Sequence, residues 1–564
     1  MRPFAPLLAV LLTALPSLSA QAAPDLRARI ELFSADLADL QRRYDVPMSG
    51  ERRARLRARF EQEQRELAAL DFDKLPRDAR VDWSLLDNHV RRELAGLEEE
   101  VRRDAEIAEL VPFAATITEL GEARRRMEDV DAKAAAAVVT ALAETIARVK
   151  TGLREKDFEH LDLPVAARAV DRMGELRRGL RTWFEYRDGY DPLFTWWVRA
   201  PWQAADAALG ELHDALRARN AAMAGDSSLV GDPIGEAALL RELAFEWIPY
   251  SPAELVAIAE REFAWCDAEM GKASQELGCG EDWRLAMAKV KERHRAPGEQ
   301  PQMIKELALE AIAFVEQRDL ITIPDLAKEC WRMRMMSPQA QRVNPFFLGG
   351  ETIQVSFPTD AMAHIEKLQS LRSNNEHFCR ATVHHELIPG HWLQQYSQAR
   401  HRQYRAPFDT PFWIEGWALY WEMRLYDLGL AHGPEDRVGM LYWRKHRCAR
   451  IVFSLNFHLG TWTGPQCVEY LIERVGHERA AAEGEVRRSV SGGYGPLYQA
   501  AYMLGGLQLR ALHGELVRPG SAFTEKRFHD AILEQNSIPI AAVRAALREE
   551  LPTRDLAGWR FAGP

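Results

Sequence analysis

The sequence feature that most constrains the fold is a helical periodicity of apolar residues that extends over most of the chain. Ala and Leu recur at helical spacing in stretches such as Asp131 to Leu153 and Pro201 to Gly225. They form a stripe on one face of each helix, and charged residues occupy the other face. The same pattern covers the region from Ala23 to about Gly235, and it resumes at about Asp360. Many helices must bury these stripes against one another. We therefore predict a large, mostly α-helical fold.

A short region between the helical stretches has the composition of β-strands. The runs 320–324, 330–336 and 351–358 show strand-like composition and alternation. We predict a small sheet here, just before the helix that carries His385. Because a strand edge offers backbone groups that pair with a peptide, we also predict that substrate lies extended beside Ile353 to Phe357. A plain structural hairpin is the alternative.

The chain starts with the three parts of a secretory signal. Met1-Arg2-Pro3 supplies charge, an apolar run extends from Phe4 to Leu18, and Ala20-Gln21-Ala22 forms a cleavage site. We predict cleavage after Ala22 and a periplasmic or secreted protein, with an uncleaved anchor as the alternative. No cysteine near this site could accept a lipid, and no later stretch could span a membrane. We therefore expect no membrane insertion after cleavage.

Charge and cysteine content exclude some classes of protein. The chain holds 73 Lys and Arg against 83 Asp and Glu, which argues against nucleic acid as the main partner. Six cysteines are too few for a disulfide scaffold, although a bridge between Cys266 and Cys279 is possible.

Residues 23–235 contain few side-chain patterns that suggest catalysis or metal binding. We expect them to cover the cleft of a catalytic, zinc-binding region at 236–564, both within one continuous unit.

The chemistry is concentrated in the segment His385-Glu386-Leu387-Ile388-Pro389-Gly390-His391. Two nearby histidines with a glutamate after the first are typical of zinc-peptidase helices, where the histidines hold the metal and the glutamate handles the water proton. On a regular helix, however, the spacing of i and i+6 places His391 roughly 120° round from His385. Pro389 and Gly390 favour an interruption of the helix. We predict that this break brings both histidines to one ion.

His384 is the competing ligand candidate. It would share a helix face with His391, but the two would stand about 10 Å apart along the axis, which is too far for one zinc ion. We therefore prefer His385. The alternative to any metal site is a helix whose adjacent histidines are merely polar surface.

The third ligand is predicted in the run Ile414 to Glu422. Glu415 opens this otherwise apolar helical run, and a carboxylate that enters a core needs a partner. One zinc ion held by His385, His391 and Glu415 supplies that partner and leaves a position open for water. Glu422 lies two turns later on the same face. It would accept a hydrogen bond from a ligand histidine or form an ordinary salt bridge.

With these motifs the chain resembles a bacterial family, the domain of unknown function 885. The family is recognised by the motif H-E-x-x-P-G-H and a following E-G-W-A-L-Y, and it is similar to zinc metallopeptidases. The matching residues are His385, Glu386, Pro389, Gly390, His391, Gln394 and Glu415 to Tyr420, with later similarity at Arg450, His458, Gly460 to Trp462, Pro496, Tyr502 to Gly505 and Phe528-His529. The resemblance covers the chain from about residue 25 to the end. It implies a helical fold of the gluzincin-like kind, with a deep channel for substrate.

Two residues depart from the family pattern. Trp392 stands where relatives often carry a second histidine, which leaves His391 as the ligand candidate. Ser454 stands where relatives often carry Asp, which puts in doubt an Asp-oriented role for His458. His458 shares a helix face with Ser454 and is one candidate donor to the reaction's oxyanion, or else a core histidine. Tyr502 is the other candidate, or else a core aromatic residue.

These observations together favour an exported zinc metallohydrolase. We expect a peptidase of the carboxypeptidase or oligopeptidase type that acts on short peptides, with one zinc ion, Glu386 as general base, and His458 or Tyr502 at the oxyanion. A zinc amidase on a non-peptide amide and a binding protein with a non-catalytic metal site are the alternatives. The presence of Glu386 favours the enzyme, because a purely structural zinc site would be closed by a fourth ligand.

Overall fold

The computed structural model describes residues 25–224, 229–341, 349–490, 493–556 and 558–562. Within these ranges the chain is mostly helical, as the periodicity predicted. The predicted signal segment, residues 1–22, lies outside the described residues. No helix in the described ranges is both long and apolar enough to cross a lipid bilayer.

The first part of the described chain consists of long helices. They are α1 (Leu26–Arg43), α2 (Gly50–Ala68), α3 (Arg77–Glu106), α4 (Ala114–Arg125), α5 (Ala132–Glu155), α6 (Leu163–Glu185) and α7 (Pro192–Ala224). Helix α5 begins where predicted, because the side chain of Asp131 caps it by accepting from the backbone N–H of Ala134. Helix α7 starts before the expected Pro201, which lies inside the helix.

The middle part contains the small sheet. Its elements are α8 (Glu236–Phe245), α9 (Pro252–Glu276), α10 (Trp283–Lys291), α11 (Gln300–Gln317), α12 (Asp325–Cys330), β1 (Arg332–Met335), α13 (Pro338–Gln341) and β2 (Thr352–Val355). The two strands pair in parallel, with Arg332 opposite Thr352. The strand expected at 320–324 is wrong. The N–H of Leu320 donates to the last turns of α11, and the N–H of Thr322 donates to the side chain of Asp530, so this backbone is bonded elsewhere.

The last part carries the predicted site. Its helices are α14 (His364–Ser373), α15 (Glu376–Glu386), α16 (His391–Gln398), α17 (Pro411–Asp427), α18 (Pro434–His458), α19 (Gly464–Val475), α20 (Arg479–Val490), α21 (Tyr498–Leu516), α22 (Glu525–Leu533) and α23 (Ile540–Leu547). Helices α17 and α21 approach closely at Gly416 and Gly505. A Cβ on Gly416 would lie 2.6 Å from the Cα of Gly505, so only glycine fits here. This contact fixes α21 beside the helix that carries Glu415.

Buried apolar side chains form two clusters. The larger one joins α1, α2 and α3 to most of the helices after residue 229. The smaller one is built by α4 to α7 and by the residues just before α4. The first three helices therefore share a core with the region that carries the site, whereas α4 to α7 have a core of their own. The boundary near residue 235 and the covering role of 23–235 stay predictions.

The bridge between Cys266 and Cys279 is not formed. All six cysteines lie in the described part of the chain and are unpaired there. The backbone N–H of Cys279 bonds to Ser274 beyond the middle of α9. Ser274 stands eight residues, or about 12 Å of helix, from Cys266. A disulfide needs Cα atoms within about 7 Å of each other, and this hydrogen bond holds Cys279 near the end of α9, away from Cys266.

Candidate metal centre

The helix break predicted at Pro389-Gly390 is confirmed. Helix α15 ends at Glu386, and α16 begins at His391. A Cβ on Gly390 would lie 1.9 Å from the carbonyl oxygen of His385, so this turn can close only with glycine. The turn brings the imidazole of His391 beside that of His385, with ring centroids 4.8 Å apart.

Three side chains meet at this turn: His385 from α15, His391 from α16 and Glu415 from α17. One ligand atom from each lies within 4.8 Å of the others. The Nε2 atoms of His391 and His385 lie 3.2 and 3.7 Å from the same oxygen, Oε2 of Glu415. Zinc bonds of about 2.0–2.2 Å in a tetrahedron separate the ligand atoms by roughly 3.3–3.6 Å. The spacing of the three atoms is compatible with one such ion.

The carboxylate of Glu415 faces positive charge in a buried place. No donor among the described residues makes a well-aligned hydrogen bond to its Oε2. A buried carboxylate is unfavourable without a partner. Burial alone would raise the pKa of Glu415, but His391 and His385 hold it well below its ordinary value. This environment keeps an anion directed at the point between the two imidazoles, where a cation is favoured.

Each histidine of the cluster is oriented through its other ring nitrogen. The Nδ1 of His385 lies 2.6 Å from Oε1 of Glu422, and the Nδ1 of His391 lies 3.2 Å from Oε1 of Gln394. Both Nε2 atoms are thereby turned toward Glu415. Metal-binding histidines are commonly held in this way, by an acceptor for the nitrogen that does not bind metal.

Electrostatic surroundings also make the cluster receptive to positive charge. Burial lowers the pKa of His385, but the carboxylates of Glu415 and Glu422 outweigh it and raise that pKa to about 9. Glu422 also lies 3.5 Å from Arg447, so it both contacts a candidate ligand histidine and forms a salt bridge, the two alternatives expected from the sequence.

His384, the competing ligand candidate, is fully buried in α15 and is not part of the cluster.

Glu386 ends α15 beside the cluster and is covered by the segment before β2. A Cβ on Gly349 would lie 2.6 Å from the Cβ of Glu386, and the N–H of Gly350 donates to the Glu386 carbonyl at 3.2 Å. Burial raises the pKa of Glu386, while His385 and His391 lower it. A carboxyl group with a raised pKa is suited to accept a proton and return it near neutral pH.

The two oxyanion candidates lie in different surroundings. The ring of Tyr502 stacks on that of His385, with centroids 6.3 Å apart and an interplanar angle of 11°. His458 is the last residue of α18, where its ring contacts Phe457. Burial lowers the pKa of His458 to about 4, and its charged neighbour Asp232 acts against this. The geometry favours Tyr502, and a role for His458 stays a prediction.

One residue at the cluster was missed by the sequence reasoning. Tyr498 donates its hydroxyl to Oε1 of Glu415, the oxygen that does not face the histidines. The available signal was its spacing, because Tyr498 precedes Tyr502 by four residues and therefore shares its helix face. Tyr498 thus fixes the carboxylate so that Oε2 points at His385 and His391.

Comparisons with known proteins concern the family and the fold. The family described as "Bacterial protein of unknown function (DUF885)" matches residues 34–547. Two solved structures share the fold. A candidate lipoprotein of unknown function from Shewanella oneidensis is 17% identical, with a TM-score of 0.68 over 93% of this chain and 99% of its own. A candidate lipoprotein from Colwellia psychrerythraea is 16% identical, with a TM-score of 0.57 over 92% and 97%. No curated protein matches the chain significantly.

Proposed function

We propose that this chain, which belongs to the DUF885 family of bacterial proteins, is an exported zinc-dependent peptidase that hydrolyses short peptides. The observation that carries the proposal is the convergence of two imidazole nitrogens and one buried carboxylate oxygen beside Glu386. His385, His391 and Glu415 are the residues that would hold the ion. The exported location rests on the predicted signal segment at residues 1–22.

The residues around the centre have distinct tasks in this reaction. A zinc ion held by His385, His391 and Glu415 would supply Lewis-acid polarisation of the scissile carbonyl and of the attacking water. Glu386 accepts the proton of that water and returns it to the leaving nitrogen. Tyr502 donates its hydroxyl to the carbonyl oxygen as negative charge develops there. Glu422 and Gln394 hold the ligand imidazoles in orientation.

The composition of the centre supports an enzyme over a purely structural site. Structural zinc sites have four protein ligands, whereas catalytic sites have three and an open position. The described residues offer three ligands that converge, His385, His391 and Glu415, and no fourth joins them. Glu386 lies beside these three residues but is not one of the candidate ligands. Its carboxylate is therefore free to accept a proton, as a general base must.

The proposal is tested with the purified mature chain by metal analysis and by digestion of a mixed library of short peptides. We expect about one zinc per chain and cleavage that a chelator abolishes and added zinc restores. Glu415→Gln is the control, because it removes a charged ligand and should lower both zinc content and cleavage. Absence of zinc would contradict the proposal. Cleavage of non-peptide amides without any peptide would identify an amidase instead.

A further inference from the structure

Three guanidinium groups lie beside the candidate metal centre, on α18 and α20. Arg447 lies 3.5 Å from Glu422, and Arg450 donates to Glu485 at 2.6 Å. Arg488 forms no ion pair with an acidic residue of the described ranges, and its Nε is buried there without a hydrogen-bond partner. Arg488 is therefore the one of the three that lies near Glu485 but forms no ion pair with an acidic residue of the described ranges.

Arg488 contacts one aromatic ring, which is the first of two rings between it and the metal centre. Its Cζ lies 4.9 Å from the ring centroid of Tyr494, and that ring lies 4.3 Å from the ring of Tyr498. The hydroxyl of Tyr498 donates to Glu415, one of the three candidate ligands. The half-buried guanidinium group thus stands two aromatic rings away from Glu415.

A half-buried guanidinium group needs an anion. Removing its charge from water is unfavourable unless hydrogen bonds or an opposite charge compensate for it. The ring of Tyr494 offers a cation–π contact but no negative charge. Glu485, on the same helix, attracts Arg488 electrostatically but forms its ion pair with Arg450. The Nε of Arg488 therefore has a hydrogen bond to offer to the anion of a bound molecule.

We propose that Arg488 binds the free α-carboxylate at the C-terminus of the substrate. A guanidinium group is the side chain best suited to this task, because its paired N–H groups match the two oxygens of a carboxylate. This inference rests on the proposed function, since it names the kind of peptide that the same site takes. It makes the enzyme an exopeptidase that acts from the C-terminal end.

Binding can be measured apart from chemistry with the zinc-supplemented Glu386→Gln protein, which should hold peptides without cleaving them. The probe is an equimolar library of N-acetylated short peptides, made once as C-terminal acids and once as C-terminal amides. Peptides retained by the immobilised protein are counted by mass spectrometry. We expect at least ten-fold stronger retention of the acids. Adding Arg488→Gln should abolish this preference, whereas Arg487→Gln, the same change at the exposed neighbour, should preserve it.

Equal retention of acids and amides by the Glu386→Gln protein would overturn the inference. Preferential retention of amidated peptides with an Asp or Glu side chain would overturn it as well, because Arg488 would then recognise a side-chain carboxylate. Arg488→Lys keeps the charge and should keep part of the preference, which separates lost recognition from failure to fold. A clear acid preference in a protein whose parent cleaves nothing would support carboxylate binding and refute the hydrolase.

Discussion

Glu386 and Glu415 lie at the same cluster, but we propose different roles for them, so the same substitution should separate the two roles. Glu386→Gln keeps the size of the side chain, but the amide cannot accept the water proton. We expect zinc content to stay near one per chain and kcat to fall by about 10² to 10⁴-fold, with little change in KM. Metal analysis and steady-state kinetics measure both quantities.

Glu415→Gln provides the comparison for this prediction, because it should lower zinc content as well as rate. An undiminished rate for Glu386→Gln would show that the metallohydrolase mechanism is wrong. Loss of zinc from Glu386→Gln, to the extent seen with Glu415→Gln, would make Glu386 a ligand.

The two oxyanion candidates can be ranked by single substitutions. Tyr502→Phe removes only the hydroxyl from a ring that stacks on His385. We expect kcat/KM to fall by about 10² to 10³-fold, as for the loss of one oxyanion donor, with zinc content unchanged. His458→Gln should change kcat/KM only a few-fold, because the ring contact of His458 is with Phe457. The opposite ranking in peptide kinetics would assign the oxyanion to His458.

The sequence predicted the four residues His385, Glu386, His391 and Glu415, which the structure brings together. It could do so because these residues stand in short motifs, where helical spacing and the need of a buried carboxylate for a partner can be argued locally. The contact of Arg488 with Tyr494 depends instead on how the chain turns between α20 and α21, and no short motif in the sequence encodes that turn. Tertiary contacts of this kind require the structure.

At the scale of elements, the turn between α15 and α16 decides whether the cluster can form. Gly390→Ala should lower zinc affinity strongly, because its Cβ would collide with the carbonyl oxygen of His385. Pro389→Ala should weaken zinc retention as well, because it removes the constraint that interrupts the helix. Zinc affinity is measured by competition with a coloured chelator.

The control for this pair is Gly271→Ala in α9, where an added Cβ meets nothing within 4 Å. It should leave zinc affinity unchanged and stabilise the helix by about 0.5–1 kcal/mol. A Gly390→Ala protein that binds zinc as tightly as the unaltered chain would show that the turn does not shape the site.

The elements themselves were predictable to different degrees. Long helices follow from periodicity, but the run 320–324 has strand composition without strand partners, because its backbone bonds to α11 and Asp530. Strand β2 begins two residues after Gly350, which bonds to the carbonyl of Glu386. Strand β2 therefore lies near Glu386, the proposed general base. That a peptide lies along Ile353 to Phe357 stays a prediction.

At the scale of the whole molecule, we predict that the mature chain begins at or near Ala23. Cleavage there leaves Asp25, whose side chain caps α1 by accepting from the N–H of Ala28, attached to its helix. The folded protein would therefore lose no described element on export. N-terminal sequencing of the exported protein checks the site. Recovery of an intact Met1 in a cytosolic fraction would contradict the prediction.

The two hydrophobic clusters predict where zinc stabilises the molecule. The candidate ligands lie on α15, α16 and α17, whose buried residues belong to the larger cluster, whereas α5 and α7 belong to the smaller one. A ligand present at 100 times its Kd stabilises the folded state by about 2.7 kcal/mol, which is a hundred-fold change in an opening equilibrium. Zinc should therefore act mainly on local openings that separate the three ligand helices.

Hydrogen exchange measured by mass spectrometry can test this difference directly. With zinc, amides of α16 and of the first turns of α17 should exchange up to about a hundred-fold more slowly than after chelation, since opening there releases the ion. Amides of α5 and α7 serve as the internal reference and should not respond, because they pack in the other cluster. The Glu415→Gln protein should show no zinc effect in either place. Equal protection of both clusters by zinc would mean that the whole chain opens as one unit, and no protection at α16 and α17 would place the ion elsewhere.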